Sequence, residues 1–367
     1  MKHTRVAILG ATGLAGQQLL AALDRHPDFV VARLGASERS AGKPYREAIR
    51  DHAGHSRWHC REPLPEAVAD LIVEEAAAMT VDGVDLVFSA VESDPAKILE
   101  PRFAERVPVI STASAFRYEP DVPIFLPAVN LGVEGPGDHL PLIDVQRRRR
   151  GWKGFITPGP NCTTTGLART LKPLADHFGV DKVLMTSLQA VSGAGRSPGV
   201  VALDILDNVI PYIAKEEEKV EKETRKILGH LDGEAVLPAA LGVSCTCTRV
   251  AVLEGHTESV FVALQRRAGL PEVKEALRSF GRSFVDLGLP SAPPHLIEVT
   301  DDPYRPQPRL DRDAGDGMTT VVGRLREETV LGHFGVKYVL VSHNTKMGAA
   351  QGAVLVAEYL RRRGYVK

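Results

Sequence analysis

The sequence predicts an α/β fold class, in which a doubly wound N-terminal domain is followed by an α+β domain. Two features lead to this prediction. Strands and helices alternate up to about residue 158, starting with a strand, a glycine-rich turn and a helix, and strands dominate the second half. Alternation of this kind builds a parallel sheet with right-handed crossovers, whereas consecutive strands favour a mixed or antiparallel sheet.

The individual elements follow from short apolar runs. In the first region, residues 6–9, 29–34, 86–88, 109–110 and 124–126 are predicted strands, and residues 17–23 a helix. In the second region, residues 183–190, 246–253, 259–264, 318–322 and 338–341 are predicted strands, and residues 167–174 a helix. We also predict a helix over residues 203–228, interrupted at Pro211, whose outer part presents i,i+4 ion pairs on a solvated face.

The chain length favours two domains, because 367 residues exceed what one compact core usually holds. The composition shifts at four consecutive arginines, residues 147–150. We therefore expect a first domain over residues 1–158 and a second over residues 159–344. A last predicted helix, residues 348–362, carries small residues that permit close packing, so residues 345–367 are expected to complete the first domain.

The composition is that of an ordinary globular protein, with 44% hydrophobic and 25% charged residues. A net charge of −1 creates no field for nucleic acid or for an anionic membrane, and the apolar runs are too short to span a bilayer. The first residues lead directly into a strand pattern, and the four cysteines form no disulfide framework, so we expect a reduced cytoplasmic protein. Cys245 and Cys247 lack the spacing of a zinc knuckle, and no metal is expected.

A glycine-rich turn, Gly10-x-x-Gly13-x-x-Gly16, lies between the first strand and the first helix. Glycines there permit a tight turn and a close backbone approach, and the free amides at the helix start favour a pyrophosphate. The turn therefore predicts a Rossmann-like dinucleotide-binding domain, the alternative being a turn needed only for packing. After the second strand, Arg39 could bind a 2′-phosphate, which favours NADP, whereas Glu38 keeps NAD open.

A cysteine and a basic pair indicate covalent chemistry. Cys162 lies in the segment just before the predicted helix 167–174, and near a helix start the dipole favours the thiolate, the nucleophile needed for an acyl group. Arg249 and His256 stand seven residues apart on a predicted strand and turn; the arginine can bind a carboxylate and the histidine titrates near neutrality. Each residue also has a simpler interpretation when it is considered alone. Cys162 could be a buried packing residue, Arg249 could form a salt bridge at the rim of the protein, and His256 could lie on the surface.

Several ordered motifs together resemble the aspartate-semialdehyde dehydrogenases, most closely their archaeal and fungal branch, over nearly the whole chain. The motifs are Gly10-Ala11-Thr12-Gly13-Leu14-Ala15-Gly16, Pro160-Asn161-Cys162-Thr163-Thr164, and residues 36–43, 189–195, 203–213, 255–260 and 342–345. The chain departs from the family pattern at Arg196-Ser197, where an aromatic residue is usual, and near Thr112 and Val91. These departures lie in the segments that resemble the substrate and phosphate regions.

The resemblance implies a role for each matching residue. Cys162 corresponds to the acyl-forming nucleophile, His256 to the acid/base and Gln189 to the residue that orients the acyl group. Substrate binding is implied for Arg249 at the α-carboxylate, Glu216 at the ammonium, and Lys219 and Arg117 at the phosphate. Cofactor binding is implied for Gly10, Thr12, Gly13, Leu14, Ala15, Gly16, Ser37, Arg39, Ser40, Ser89, Ala90, Ser192, Gly193 and Asn344.

The implied reaction is the NADPH-dependent reductive dephosphorylation of L-4-aspartyl phosphate to aspartate semialdehyde, a step of lysine, threonine and methionine biosynthesis. Cys162 would form the thioester and His256 would take the thiol proton. The implied assembly is a homodimer or homotetramer. Two relatives share the chemistry and remain alternatives: malonyl-CoA reductase and N-acetyl-gamma-glutamyl-phosphate reductase. From another class, a non-catalytic NADP-binding sensor would keep the fold, but the presence of Cys162, Gln189, Arg249 and His256 argues against it.

Overall fold

The computed structural model describes residues 3–195 and 199–367. Its first sheet contains β1 (Thr4–Leu9), β2 (Phe29–Ala36), β3 (Val73–Glu75), β4 (Leu86–Ser89), β5 (Val109–Ser111) and β6 (Ile156–Pro158). The strands are all parallel, in the order β3-β2-β1-β4-β5-β6. This order confirms the predicted doubly wound arrangement, and its direction reverses between β1 and β4, where such sheets bind ligands at their carboxyl ends.

Helices cover both faces of this sheet: α1 (Leu14–Ala22), α2 (Tyr45–Ala48), α3 (Glu66–Ala69), α4 (Ser93–Ala104) and α5 (Leu142–Arg150). The predicted strand at residues 124–126 is wrong. These residues are buried, but the side chain of Asn130 satisfies their backbone, since its Oδ1 accepts from the Leu126 N–H and its Nδ2 donates to the Ile124 carbonyl, each at 2.8 Å. Strands β3 (Val-Glu-Glu) and β6 (Ile-Thr-Pro) were not predicted, because each has a single aliphatic residue and so gives no hydrophobic run.

The second sheet is mixed, as predicted. It contains β7 (Val180–Gln189), β8 (Val209–Ile210), β11 (Gly242–Val250), β12 (His256–Leu264), β13 (Ile297–Val299), β14 (Thr320–Glu327) and β15 (Gly335–Ser342), in the order β13-β14-β15-β12-β7-β11-β8. A separate hairpin joins β9 (His230–Asp232) to β10 (Ala235–Leu237). The parallel pair β7–β11 ends where the antiparallel neighbour β12 begins, so Gln189, Arg249 and His256 meet at one edge.

The helices of the second region are α6 (Cys162–Phe178), α7 (Ala202–Ile205), α8 (Glu216–Ile227), α9 (Leu270–Ser279), α10 (Arg282–Val285) and α11 (Pro308–Asp311). The predicted helix over residues 203–228 is therefore wrong in its first half. Ile210 instead pairs with Arg249 in the sheet, and Pro211, which disfavours the helical conformation of the residue before it, ends that strand. Helices α6, α8 and α9 pack on one face of the sheet.

The chain ends in a π-helical turn, Lys346–Ala350, and in α12 (Gln351–Arg362). Val354 and Leu355 of α12 share a core with Ile8 and Ile110 of the first sheet, and His26 contacts Glu358 at 2.8 Å. The last helix thus packs against the N-terminal domain, while the boundaries at residues 158 and 345 stay a prediction. Within the described residues, no helix is long and apolar enough to cross a membrane.

Candidate active site

The glycine turn after β1 forms an open cradle. Gly10 has φ +75°, and a Cβ at Gly16 would overlap the carbonyl oxygen of Gly10, so both glycines are needed for the turn itself. Gly13 differs, because it is exposed, has an ordinary φ of −80° and precedes α1 without any side-chain cap. The first amides of α1 at Leu14, Ala15 and Gly16 therefore have no intrahelical acceptor, which fits the phosphates of a dinucleotide beside Thr12 and Gly13.

The end of β2 lies beside this cradle. Gly10 and Ala11 donate to the carbonyl of Gly35, and Ser37 precedes a short 3₁₀ turn at Glu38–Ser40. Ser37 and Arg39 are exposed, whereas Ser40 is buried. Lys43 donates to the carbonyl of Arg39 at 3.3 Å, so a second cation accompanies the predicted one. This position suits a 2′-phosphate better than a neutral ribose.

Across the crevice, β4 ends at Ser89, which is buried. The Ala90 N–H donates to the carbonyl of Leu9 at 2.9 Å, and the Ala90 carbonyl packs against Gly10, where a Cβ would overlap it. The predicted contacts Ser89 and Ala90 thus line the switch point of the first sheet. The predicted departure at Arg196-Ser197 lies outside the described residues.

A cysteine and a histidine meet at the start of α6. Cys162, which is half-buried, is the first residue of the helix, and its Sγ lies 3.1 Å from Nε2 of His256. The backbone N–H of Ala190 donates to Nδ1 of His256 at 3.1 Å. Since Nδ1 accepts, the neutral ring carries its proton on Nε2, and the histidine faces the sulfur as a hydrogen-bond donor.

The electrostatics of this pair differ from the expectation. Burial raises the pKa of the Cys162 thiol to about 12, Glu216 adds to this, and Arg249 and Arg117 oppose it. Burial, with the Arg249 cation nearby, lowers the pKa of His256 to about 3. The prediction of a lowered thiol pKa at the helix start is therefore wrong, because desolvation outweighs the two arginines and the Thr163 backbone N–H that favour the thiolate.

Arg249 and the second glycine loop lie against His256. The Nη1 of Arg249 donates to the Ala190 carbonyl at 2.8 Å. A Cβ at Gly193 would stand 2.9 Å from that Nη1 and 3.2 Å from Cε1 of His256, so only glycine leaves this space free. Asn344 donates to Ser192 Oγ at 2.8 Å and accepts from the Gly255 N–H at 2.9 Å. Gln189 pairs with Arg249 in the sheet, and its amide donates to Ser187 at 3.2 Å.

The residue before the cysteine organises a second group. Asn161 caps α6, since its Oδ1 accepts from the amides of Thr163 at 2.9 Å and Thr164 at 3.2 Å. Its Nδ2 donates to Glu216 at 2.8 Å, and Glu216 lies 3.6 Å from Lys219. The structure therefore brings Glu216 to the residue before the nucleophile, with Lys219 beside Glu216, although the sequence pattern had placed their helix face in solvent.

The predicted phosphate ligand Arg117 is buried and already paired. Its Nη1 donates to Glu223 at 3.0 Å and its Nη2 to the carbonyl of Thr112 at 3.1 Å. The other carboxylate oxygen of Glu223 accepts the backbone N–H of Asn161 at 2.7 Å. Glu223 was missed, yet Val220 and Ile227 mark the buried face of α8 on which Glu216 and Glu223 also lie, seven residues apart.

Two further residues near the cysteine were missed. Asn161 precedes an apolar helix, which is an N-cap signature that could have assigned it a role. Gly348, in the π-helical turn, packs on the nucleophile, and a Cβ there would stand 2.9 Å from the Cβ of Cys162. No local sequence signal indicates the second contact, because it joins residues far apart in the chain.

Comparisons with known proteins agree with this architecture. Residues 5–133 match the family model "Semialdehyde dehydrogenase, NAD binding domain" and residues 171–347 match "Semialdehyde dehydrogenase, dimerisation domain". An aspartate-semialdehyde dehydrogenase from Methanothermobacter thermautotrophicus is 47% identical over 97% of this chain and 98% of the relative. The crystal structure of the Candida albicans enzyme with NADP superposes with a TM-score of 0.85 at 39% identity, covering 98% of this chain and 99% of that one. By its two domains and its full-length relatives, the chain belongs to the aspartate-semialdehyde dehydrogenase family.

Proposed function

We propose that the chain reduces L-4-aspartyl phosphate to L-aspartate 4-semialdehyde with NADPH, through a thioester on Cys162. The observation that carries this proposal is the Cys162–His256 contact of 3.1 Å at the start of α6, with the Arg249 guanidinium beside it. A thiol at a helix start, a hydrogen-bond donor and a carboxylate-binding arginine are the groups that acyl transfer from an amino-acid acyl phosphate requires. The product would serve lysine, threonine and methionine biosynthesis.

In the covalent step, the Cys162 sulfur bonds to the acyl carbon while the bond from that carbon to the phosphate oxygen breaks. In place of the expected removal of the thiol proton, we assign His256 the role of donor, because Nδ1 accepts from the Ala190 N–H and the proton on Nε2 faces the sulfur. The thiol proton then leaves with the phosphate, whose oxygens are basic. After transfer, Nε2–H can donate to the oxygen on which charge develops.

Substrate recognition is assigned to the charges around the thiol. Arg249 binds the α-carboxylate and Gln189 orients the acyl group. Glu216 meets the substrate ammonium, and Lys219 and Arg117 meet the phosphate. The contact of Glu216 with Asn161, one residue before the nucleophile, and the ion pair of Lys219 with Glu216 support these assignments.

The glycine cradle supports NADP as cofactor. Gly10, Thr12, Gly13, Leu14, Ala15 and Gly16 would hold the pyrophosphate, and Ser37, Arg39 and Ser40 the 2′-phosphate. Ser89, Ala90, Ser192, Gly193 and Asn344 would line the nicotinamide half, since Ser192 accepts a hydrogen bond from Asn344 and Gly193 lies against His256. When bound, NADPH supplies the hydride that reduces the thioester.

We further propose a homodimer in the cytoplasm, assembled through the sheet of the second domain, residues 159–344. Helices cover one face of this sheet, whereas Leu184 and Leu188 on the other face are 43% and 38% exposed. Exposed apolar side chains on a sheet face favour association. Light scattering after gel filtration would give two copies for a dimer and four for a tetramer.

A substrate panel tests the activity. Purified protein should oxidise aspartate semialdehyde with phosphate and NADP⁺, and should turn over malonyl-CoA or N-acetylglutamate semialdehyde at least about a hundredfold more slowly, since sites built around charged groups discriminate strongly. Robust malonyl-CoA reduction with inert aspartate semialdehyde would replace the proposal by the malonyl-CoA alternative. Binding of NADPH without any turnover would favour a sensor.

A further inference from the structure

Glu223 on α8 is a fully buried carboxylate for which the proposed reaction has no chemical role. One oxygen, Oε1, accepts from Arg117 Nη1 at 3.0 Å and from the Tyr118 hydroxyl at 3.3 Å. The other, Oε2, accepts from the Asn161 N–H at 2.7 Å. One carboxylate therefore joins the proposed phosphate ligand to the residue before the nucleophile.

Glu223 is enclosed by hydrogen-bond donors and forms a buried ion pair. Three donors converge on its two oxygens, and Arg117, itself buried, would lack a counter-charge without it. Removing one member of such a pair leaves a buried charge uncompensated. The carboxylate also stands near the amino-terminal end of α6, where a negative charge is favourable.

Two other residues of α8 also bond to the loop that carries Arg117 or to Asn161, but each of them bonds to only one of the two. Lys226 donates to the carbonyls of Arg117, Glu119 and Val122, each at 2.8 Å, and so fixes the loop that carries Arg117. Glu216, at the other end of the helix, accepts from the Asn161 side chain at 2.8 Å. Glu223 bonds to both segments, so a movement of either one is transmitted to the other.

We propose that Glu223 is a positioning residue that sets Arg117 and Cys162 relative to each other, so that an anion bound at Arg117 changes the reactivity of the thiol. This inference rests on the proposed function, in which Arg117 binds the phosphate of the substrate. An anion that draws Arg117 from Oε1 also shifts Oε2 and the Asn161 N–H, because both oxygens belong to one rigid group.

Glu223→Gln tests this arrangement by kinetics. The amide keeps the shape but places an NH₂ donor against either Arg117 or Asn161, which are donors themselves. We expect the KM for phosphate to rise at least about tenfold and kcat to fall at least about tenfold, in line with losing a charged hydrogen bond, while the KM for NADP⁺ stays within about twofold. Glu218→Gln, on the exposed face of the same helix, should behave as wild type.

Glu223→Asp separates position from charge, and it also serves if Glu223→Gln folds poorly. Aspartate keeps the charge but is one methylene shorter, so it cannot reach both partners. Impaired phosphate KM and kcat in this variant support the proposal. Wild-type kinetics in Glu223→Asp, or a loss of activity in Glu223→Gln without a change in either KM, would overturn it.

A readout without turnover separates this proposal from the proposed function. Alkylation of Cys162 by iodoacetamide is followed by mass spectrometry with and without inorganic phosphate. Phosphate should change the alkylation rate of Cys162 at least about twofold in wild type and in Glu218→Gln, and should leave this rate unchanged in both Glu223 variants. The same phosphate effect on alkylation in all variants, or no effect in wild type, contradicts the coupling. A protein whose alkylation responds as expected but which does not turn over aspartate semialdehyde contradicts only the proposed activity.

Discussion

The amino-terminal ends of α1 and α6 were both expected from the sequence to favour a negative charge, and in the structure each follows a strand, β1 and β6 respectively. The structure shows two different uses of a helix start. At α1, Gly13 provides no side-chain cap and is exposed, so the first amides remain available to a ligand. At α6, Asn161 takes the amides of Thr163 and Thr164, and Glu223 takes the amide of Asn161 itself.

This difference shows how side-chain acceptors change what the start of a helix can bind. The start of α1 acts through backbone groups and can receive the phosphates of a dinucleotide. The start of α6 is a fixed support for one side chain, and its positive end is partly offset by Glu216 and Glu223. Burial then dominates, and the pKa of the Cys162 thiol rises to about 12 rather than falling.

The largest effect on activity is expected from replacing the cysteine at the start of α6. Cys162→Ser should abolish detectable dehydrogenase activity, because an alkoxide is far less accessible than a thiolate near neutral pH. NADPH affinity should stay within about twofold by fluorescence titration, since the cradle at α1 is separate. Residual turnover above about 1% of wild type would mean that the thiol is a packing residue.

His256→Ala comes next. Removing the Nε2–H that lies 3.1 Å from the sulfur should lower kcat by roughly 10²–10⁴-fold, the span for a positioned acid/base or oxyanion donor. Circular dichroism and the thermal midpoint report whether the fold is kept. A loss below tenfold in a folded variant would leave His256 without its proposed role.

The fold was more predictable than the site, and the reason is the range of the interactions. The glycine turn and the flanking strands are local patterns, so α1 and the doubly wound sheet followed from the sequence. The pairing of Glu223 with Arg117 joins residues 106 positions apart, and the Gly348 contact joins helices from two regions. Charges on α8 resembled a solvated surface because the i,i+4 ion pairs decided the prediction, whereas Val220 and Ile227 mark the face that is buried.

The pH dependence of alkylation sharpens the comparison directly. Because burial raises the pKa of Cys162, the thiolate fraction and hence the rate with iodoacetamide should rise about tenfold per pH unit from pH 6 to 9. A helix start that still stabilised a thiolate, or an ion pair with His256, would instead give a plateau below pH 8. Mass spectrometry assigns the label to Cys162, since Cys60 is also half-buried.

Two glycines at the start of α1, Gly13 before the helix and Gly16 in its first turn, allow a matched comparison. In Gly16→Ala, the new Cβ overlaps the Gly10 carbonyl, so the free energy of unfolding should fall by about 1–3 kcal/mol. In Gly13→Ala, the nearest atom lies at 3.4 Å and stability should change by less than about 0.5 kcal/mol. NADPH affinity should nevertheless fall about tenfold, because the methyl group stands where the backbone meets the pyrophosphate. Unchanged affinity in Gly13→Ala would place the cofactor elsewhere.

The smallest expected effect concerns the cap itself. Asn161→Ala removes the acceptor for the Thr163 and Thr164 amides and the donor to Glu216, so unfolding should become easier by about 0.5–2 kcal/mol in urea titrations. Asn161→Ser is the control, because serine can cap the helix but is too short to reach Glu216, and it should recover part of that loss. At the start of α1 a substitution cannot remove a side-chain cap, because Gly13 makes none. If Asn161→Ala were as stable as wild type, the amides of α6 would gain nothing from their acceptors, and the two helix starts would differ in burial alone.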